Sequence, residues 1–228
     1  MPAYQAPGQV LVIEPAVRYP NLDCLNELAL RSRLPVAYHL PALYGLDSLD
    51  QTDPDRVRGV VILGSAASVN DGLPWQPPLG RWLTELWERR VPTLGICFGH
   101  QLIAHLLGGR VGLAFDGERR RELRRVRLHA DAPSWAGAPG EVALCVSHRE
   151  AVLECPPVLR VFASSDTLAV EAVAHVTLPI FGFQAHLEAT PLWLSGHHLP
   201  TTEPESYLRD GRRLLAAFLE AVAGGFTA

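Results

Sequence analysis

Thr93-Leu94-Gly95-Ile96-Cys97-Phe98-Gly99-His100-Gln101 reads as an apolar strand that turns sharply into a helix. Within it, Gly95 to Gly99 has the glycine–x–nucleophile–x–glycine form of an elbow, with cysteine where many hydrolases carry serine. An apex residue in such a turn is held in a strained backbone conformation, and flanking glycines let neighbouring segments approach without a Cβ clash. A thiol at a helix N-terminus also feels the positive end of the helix dipole, which favours thiolate. The N–H of Phe98, first in the helix, is left free to stabilise an oxyanion. Without its context a cysteine here is as often a buried structural thiol. The elbow glycines tip the reading toward a nucleophile.

Outward from the elbow, apolar runs at residues 10–14, 57–63 and 91–96 suit buried strands. Helical spacing of apolar residues marks 21–32, 79–90 and 98–107, with Pro92 ending the second and Gly108-Gly109 capping the third. The second half is richer in strands, expected at 122–129, 141–146, 159–163, 168–174 and 179–183, before a terminal helix at 206–222. Strand–helix alternation followed by these strands predicts one α/β domain over residues 1–228. Its expected form is flavodoxin-like and doubly wound: a mostly parallel central sheet, helices on both faces, antiparallel additions, and the site at the carboxyl ends of the strands. Pro74, Pro77 and Pro78 are expected in a surface loop, and residues 131–140 in another exposed loop.

Composition narrows the chemistry. A chain of 228 residues, 48% apolar and 19% charged, can bury a sizeable core. Its net charge of −4 argues against general nucleic-acid binding. No apolar run has membrane-spanning length, and MPAYQAPGQV lacks the regions of a signal peptide, so a soluble, unexported, cytoplasmic protein is expected. All 20 basic residues are arginine, which excludes a Schiff-base lysine and a P-loop lysine. If the biological reaction needs ATP, another chain is expected to bind it. Cys24, Cys97, Cys145 and Cys155 show no zinc-site spacing and are expected to be free thiols; no metal or cofactor is implied.

A cysteine nucleophile needs a base, and the base an orienting group. In Phe181-Gly182-Phe183-Gln184-Ala185-His186-Leu187-Glu188, His186 follows an expected strand, and Glu188 at i+2 lies on the same side of extended chain. His148, in Cys145-Val146-Ser147-His148-Arg149-Glu150, has a carboxylate at the same spacing, and His100 lies one turn into the elbow helix. Spacing alone does not decide among the three.

The elbow with its Gly-His-Gln continuation, combined with the late Gln184-x-His186-x-Glu188, resembles the class I, triad-type glutamine amidotransferases, above all stand-alone proteins similar to the amidotransferase half of GMP synthase. The resemblance runs from about Val57 to Glu188, with weaker agreement at residues 60–65, 68–71, 147–148 and 163–166. It implies Cys97 as nucleophile, His186 as base and later acid, and Glu188 as orienter. It also implies an oxyanion hole from the N–H groups of Gly64 and Phe98. Gln101 and the Ser147-His148 backbone would grip the α-amino and α-carboxylate groups of glutamine. Two departures stand out: Gly64-Ser65-Ala66 replaces a glycine pair, and His186-Leu187-Glu188 replaces His-Pro-Glu.

An ATP-using domain like that of GMP synthase is not expected within these 228 residues, which leaves three readings. It would be a glutaminase that passes ammonia to a separate synthase subunit. Or it would be a γ-glutamyl peptidase acting on γ-glutamyl peptides or glutathione derivatives, or a non-catalytic partner-binding protein. The intact triad weighs against the last. The arginines at 119, 120, 121, 124, 125 and 127 are expected on a solvated strand edge, paired with Glu118 and Glu122.

Overall fold

The computed structural model describes residues 8–200, 202 and 204–226, so the first seven residues of the N-terminal reading lie outside it. In chain order, Gln9–Ile13 (β1), Leu22–Arg31 (α1), Val36–His39 (β2), Pro41–Tyr44 (α2), Asp47–Asp50 (α3), Val57–Ile62 (β3) and Gln76–Glu88 (α4) lead to the elbow. Thr93–Ile96 (β4) and Phe98–Leu106 (α5) flank it. Arg110–Leu113 (β5), Arg120–Leu128 (β6), Gly140–His148 (β7), Glu150–Glu154 (β8), Leu159–Ser164 (β9), Ala172–His175 (β10) and Ile180–Phe183 (β11) follow. Pro191–Gly196 (α6) and Pro204–Gly224 (α7) complete the chain.

A nine-stranded sheet runs β2-β1-β3-β4-β11-β10-β9-β6-β7, with β5 and β8 paired separately. Its first five strands are parallel and form the doubly wound part; the remaining pairings are antiparallel. Alternate strand residues feed opposite faces, as a sheet covered on both sides requires. Val10, Val12, Val61, Leu94 and Ile96 pack toward Leu28 of α1 and Leu214, Leu215 and Phe218 of α7. Leu11, Ile13, Val60 and Ile62 pack toward Leu79 and Leu83 of α4 and Phe98 and Leu102 of α5. Among the described residues no helix is long and apolar enough to cross a membrane.

Several expectations need correction. Pro77 and Pro78 are not in a loop but in the first turn of α4, where a missing N–H costs nothing and proline's fixed φ suits a helix start. The strand expected at 168–174 begins only at Ala172. Ser165 diverts the preceding chain: its Oγ accepts from the N–H groups of Thr167 and Leu168, a local turn that competes with the ladder. Residues 131–140 are not simply exposed. Trp135 packs edge-on against Phe181 and Phe218, and Ala136 is buried. Of the arginines expected on a solvated strand edge, Arg119, Arg120, Arg121, Arg125 and Arg127 are exposed and β6 pairs with β9 only at Arg127 and Leu128, but Arg124 is buried.

Parallel pairing fixes where the site forms. Val61 and Ile62 of β3 pair with Leu94 and Gly95 of β4, and Gly182 and Phe183 of β11 pair with Gly95 and Ile96. The chain leaving the carboxyl ends of these three strands carries Gly64, Cys97 and His186.

Candidate active site

Cys97 occupies the elbow with φ 52° and ψ −101°, a conformation that costs a non-glycine residue free energy. The turn is locked on both sides: its N–H donates to the Phe183 carbonyl at 2.8 Å, and its carbonyl accepts from the Gln101 N–H at 3.1 Å. The elbow glycines are required by space. A Cβ on Gly95 would come within 2.4 Å of Gly99 backbone, and one on Gly99 within 2.3 Å of the Ile62 carbonyl oxygen. Phe98 is the first residue of α5, so its N–H has no acceptor within the helix.

His186 stands beside the sulfur. Its Nδ1 lies 2.8 Å from Glu188 Oε1, which leaves Nε2 for Cys97, whose side chain adjoins the ring. The Trp193 ring covers the imidazole at 4.5 Å between centroids, and the His186 N–H donates to the Cys145 carbonyl at 2.8 Å. Burial alone would lower the affinity of His186 for a proton. The charges of Glu188 and of the Cys97 sulfur outweigh it and raise the pKa to about 10. Its surroundings therefore favour the protonated ring.

Gly64 closes in from β3: a Cβ there would sit 2.8 Å from His186 Cε1 and 3.6 Å from Cys97 Cβ. Ser65, a departure from the glycine pair of the resemblance, ties the loop down. Its Oγ donates to the Pro15 carbonyl at 2.6 Å and accepts from the Ala67 N–H at 3.0 Å.

The other two histidines are placed differently. His100 is fully buried against Gly182, and burial holds its pKa down at about 3. His148 has one possible tautomer. Arg124 Nη1 lies 3.0 Å from its Nε2, and because arginine only donates, Nε2 is the acceptor; Nδ1–H then donates to the Glu150 carbonyl at 2.9 Å. Burial first, then the Arg124 charge, push its pKa to about 3. The Glu150 side chain, equivalent in spacing to Glu188, is not its partner; the Glu150 backbone carbonyl is.

These contacts close a ring. Gln101 Nε2 donates to the same Glu150 carbonyl at 2.7 Å and to Gln184 Oε1 at 3.1 Å, and Gln184 Nε2 reaches the Cys97 sulfur at 3.7 Å. The Gln184 N–H donates to the Glu171 carbonyl at 2.8 Å, and the Glu171 carboxylate receives Arg124 at 3.1 Å and Ser165 at 2.6 Å. Gln184, Arg124 and Glu171 were not singled out from sequence. Gln184 lay inside the quoted motif, whereas a buried arginine among five others left no signal.

Two hollows meet at Cys97. The larger, about 470 Å³, is lined by Gly64, Ser147, His186 and Glu188, and by Cys24. The narrower is lined by Gln101, Ser147 and His148. Thus all eight residues singled out from sequence gather around the carboxyl ends of β3, β4, β7 and β11, and Ser147 borders both hollows. Among the described residues no group of His, Cys, Asp and Glu is arranged to hold a metal ion.

A doubly wound sheet with a glycine-flanked cysteine at the carboxyl end of a central strand places the chain among α/β proteins with a cysteine on a strand-to-helix elbow. Within that class the chain belongs to the glutamine amidotransferase class-I family, whose model matches residues 40–199. It is similar to the glutamine-hydrolyzing GMP synthase subunit of Pyrococcus furiosus, 35% identical over 140 residues, covering 61% of this chain and 71% of that one. The corresponding protein of Methanopyrus kandleri is 37% identical over 141 residues, covering 60% and 72%. The fold matches a solved glutamine amidotransferase of Thermotoga maritima with a TM-score of 0.76, at 18% identity and covering 96% and 99% of the two chains.

Proposed function

We propose that this glutamine amidotransferase cleaves the γ-amide of glutamine, or of a related γ-glutamyl compound, through Cys97, His186 and Glu188. The observation that carries the reading is the Glu188–His186 contact of 2.8 Å with the imidazole against the Cys97 sulfur. Cys97 attacks the γ-carbonyl carbon as a thiolate, the form that a neighbouring imidazolium stabilises. The N–H groups of Phe98 and Gly64 receive the developing oxyanion. As the C–N bond breaks, His186 gives its proton to the departing nitrogen, leaving a glutamyl thioester. Water attacks the thioester, His186 takes up its proton, and glutamate leaves. Gln101 and the Ser147-His148 backbone hold the α-amino and α-carboxylate groups on the side of the narrower hollow. Glu188 fixes the ring so that Nε2 always faces sulfur.

The relatives' names support delivery of the ammonia to a separate synthase chain. No step above needs ATP or a metal. The test is release of glutamate and ammonia from glutamine by the purified protein, compared with Cys97→Ser and Cys97→Ala. Equal release by the variants removes the proposed nucleophile.

A further inference from the structure

Cys97 has a second polar neighbour besides His186. β11 runs parallel to β4 with Phe183 opposite Ile96, so the next residues along the two strands are Gln184 and Cys97. The Phe183 carbonyl takes the elbow N–H at 2.8 Å, and Gln184 Nε2 lies 3.7 Å from the Cys97 sulfur. Gly182 faces His100 of α5, and alternation turns Gln184 the same way, where it meets Gln101. The Gln184 backbone is tied down as well, its N–H donating to the Glu171 carbonyl at 2.8 Å.

The direction of the Gln184 amide is fixed from its far end. Gln101 lies 2.7 Å from the Glu150 carbonyl and 3.1 Å from the Gln184 amide. A carbonyl only accepts, so the group of Gln101 that faces it is the NH2, and its two hydrogens serve both neighbours. The Gln184 atom facing Gln101 is then the oxygen, and the group facing sulfur is the NH2. Turning either amide over would set like against like between two buried side chains. A donor aimed at sulfur favours the charged form, because a hydrogen bond to an ionised group is the stronger one. Gln184 borders neither hollow, so its amide has the sulfur, and no part of a substrate, to act on.

We propose that the Gln184 side-chain amide is a second donor to Cys97 Sγ, holding the thiolate before attack and receiving it again when the thioester breaks. The inference rests on the role proposed for Cys97. In the second half of the reaction water adds to the thioester carbon and its proton goes to His186. The C–S bond then breaks, and its electron pair returns to sulfur beside the Gln184 N–H. Water is the only further reactant. Gln101 acts through Gln184 and in this respect is a positioning residue.

The test is the pH profile of Cys97 alkylation by iodoacetamide, a small neutral reagent that needs no glutamine site, in the wild type, Gln184→Met and Gln184→Glu. Methionine keeps the length without a donor, and glutamate turns an acceptor toward sulfur. The midpoint of the acid limb should rise by about one pH unit in Gln184→Met, the ten-fold worth of one hydrogen bond to a charged group, and further in Gln184→Glu. His186 with Glu188 behind it, and Glu14, Arg18 and Arg119 in the larger hollow, are unchanged in both variants, so the difference belongs to the amide. On glutamine, kcat should fall by about ten-fold with KM within about two-fold. A merely structural role would lower the yield of folded protein without moving the midpoint. Wild-type midpoints in both variants, or a loss confined to KM, overturn the inference and leave the Cys97 reading standing. If neither variant folds, Gln101→Met carries the same test, because it frees the Gln184 amide to turn over: a raised midpoint is expected, and an unmoved one overturns the inference. A wild-type Cys97 that reacts no faster than Cys24, Cys145 and Cys155 removes both readings.

Discussion

Three histidines lie near the elbow, and their surroundings differ. His186 is paired with a carboxylate and faces sulfur, His148 is fixed as a neutral tautomer by Arg124, and His100 is buried against Gly182. His186→Ala should therefore lower kcat by about a thousand-fold or more, because the acid–base group and its pairing with the thiol go together. His148→Ala should raise KM several-fold with a smaller change in kcat; the opposite split would move the base to His148. Protonation also predicts how stability varies with pH. The His186 pKa is raised from 6.5 to about 10, so its contribution is full below 6.5 and is lost as pH rises toward 10. His100 and His148 are held near 3, so their contribution is present above 6.5 and lost as pH falls toward 3. Denaturant unfolding should show stability falling on both sides of near-neutral pH. Between pH 7 and 8, below the range in which the thiols that burial keeps protonated also contribute, the wild-type slope of about 1.4 kcal/mol per pH unit should largely disappear in His186→Ala. A slope that persists there assigns the alkaline loss to another group. Cys97, His186 and Glu188 were legible as candidates in sequence because each stands in a short motif. What distinguishes His148 from His186 was not, because it is the bond from Arg124 across the β6–β7 ladder, 24 residues away in sequence.

At the scale of elements, long periodic segments were legible and short ones were not. α1, α4, α5 and α7 each bury one apolar face, and the spacing shows it. β2 and β5 are four residues long, and their burial does not alternate cleanly. The arginine-rich strand β6 misled for a specific reason. Alternation puts Arg125 and Arg127 in solvent, as expected, but it also turns Arg124 inward, where Glu171 and Glu122 neutralise it. Arg124→Ala should consequently cost about 3–5 kcal/mol in denaturant unfolding, because Glu171 is left buried without its cation. Arg125→Ala should change stability by no more than about 0.5 kcal/mol. Equal, small losses at both positions would mean that Arg124 is as solvated as its neighbours. Arg124→Ala should also raise KM, since His148 loses the donor that fixes its ring beside Ser147.

At the scale of the whole molecule, sheet order brings together residues that are far apart in the chain. β4 and β11 are adjacent strands separated in sequence by the entire antiparallel part, and their register sets Cys97 against His186. The fold also segregates the four thiols. Cys145 donates to the Tyr207 carbonyl at 3.3 Å, and burial, with Glu188 second, pushes its pKa up to about 12. Burial likewise raises Cys24, which borders the larger hollow, and Cys155. Only Cys97 combines the start of a helix, a histidine partner and two hollows. The most direct measurement of the account is brief labelling of the intact protein with a chloro-ketone analogue of glutamine, read by whole-protein mass and peptide mapping. The account predicts one adduct per chain, on Cys97, suppressed by excess glutamine and slowed by about a hundred-fold or more in His186→Ala. Equal labelling of all four cysteines, or a Cys97 adduct that no γ-glutamyl compound suppresses, would contradict it.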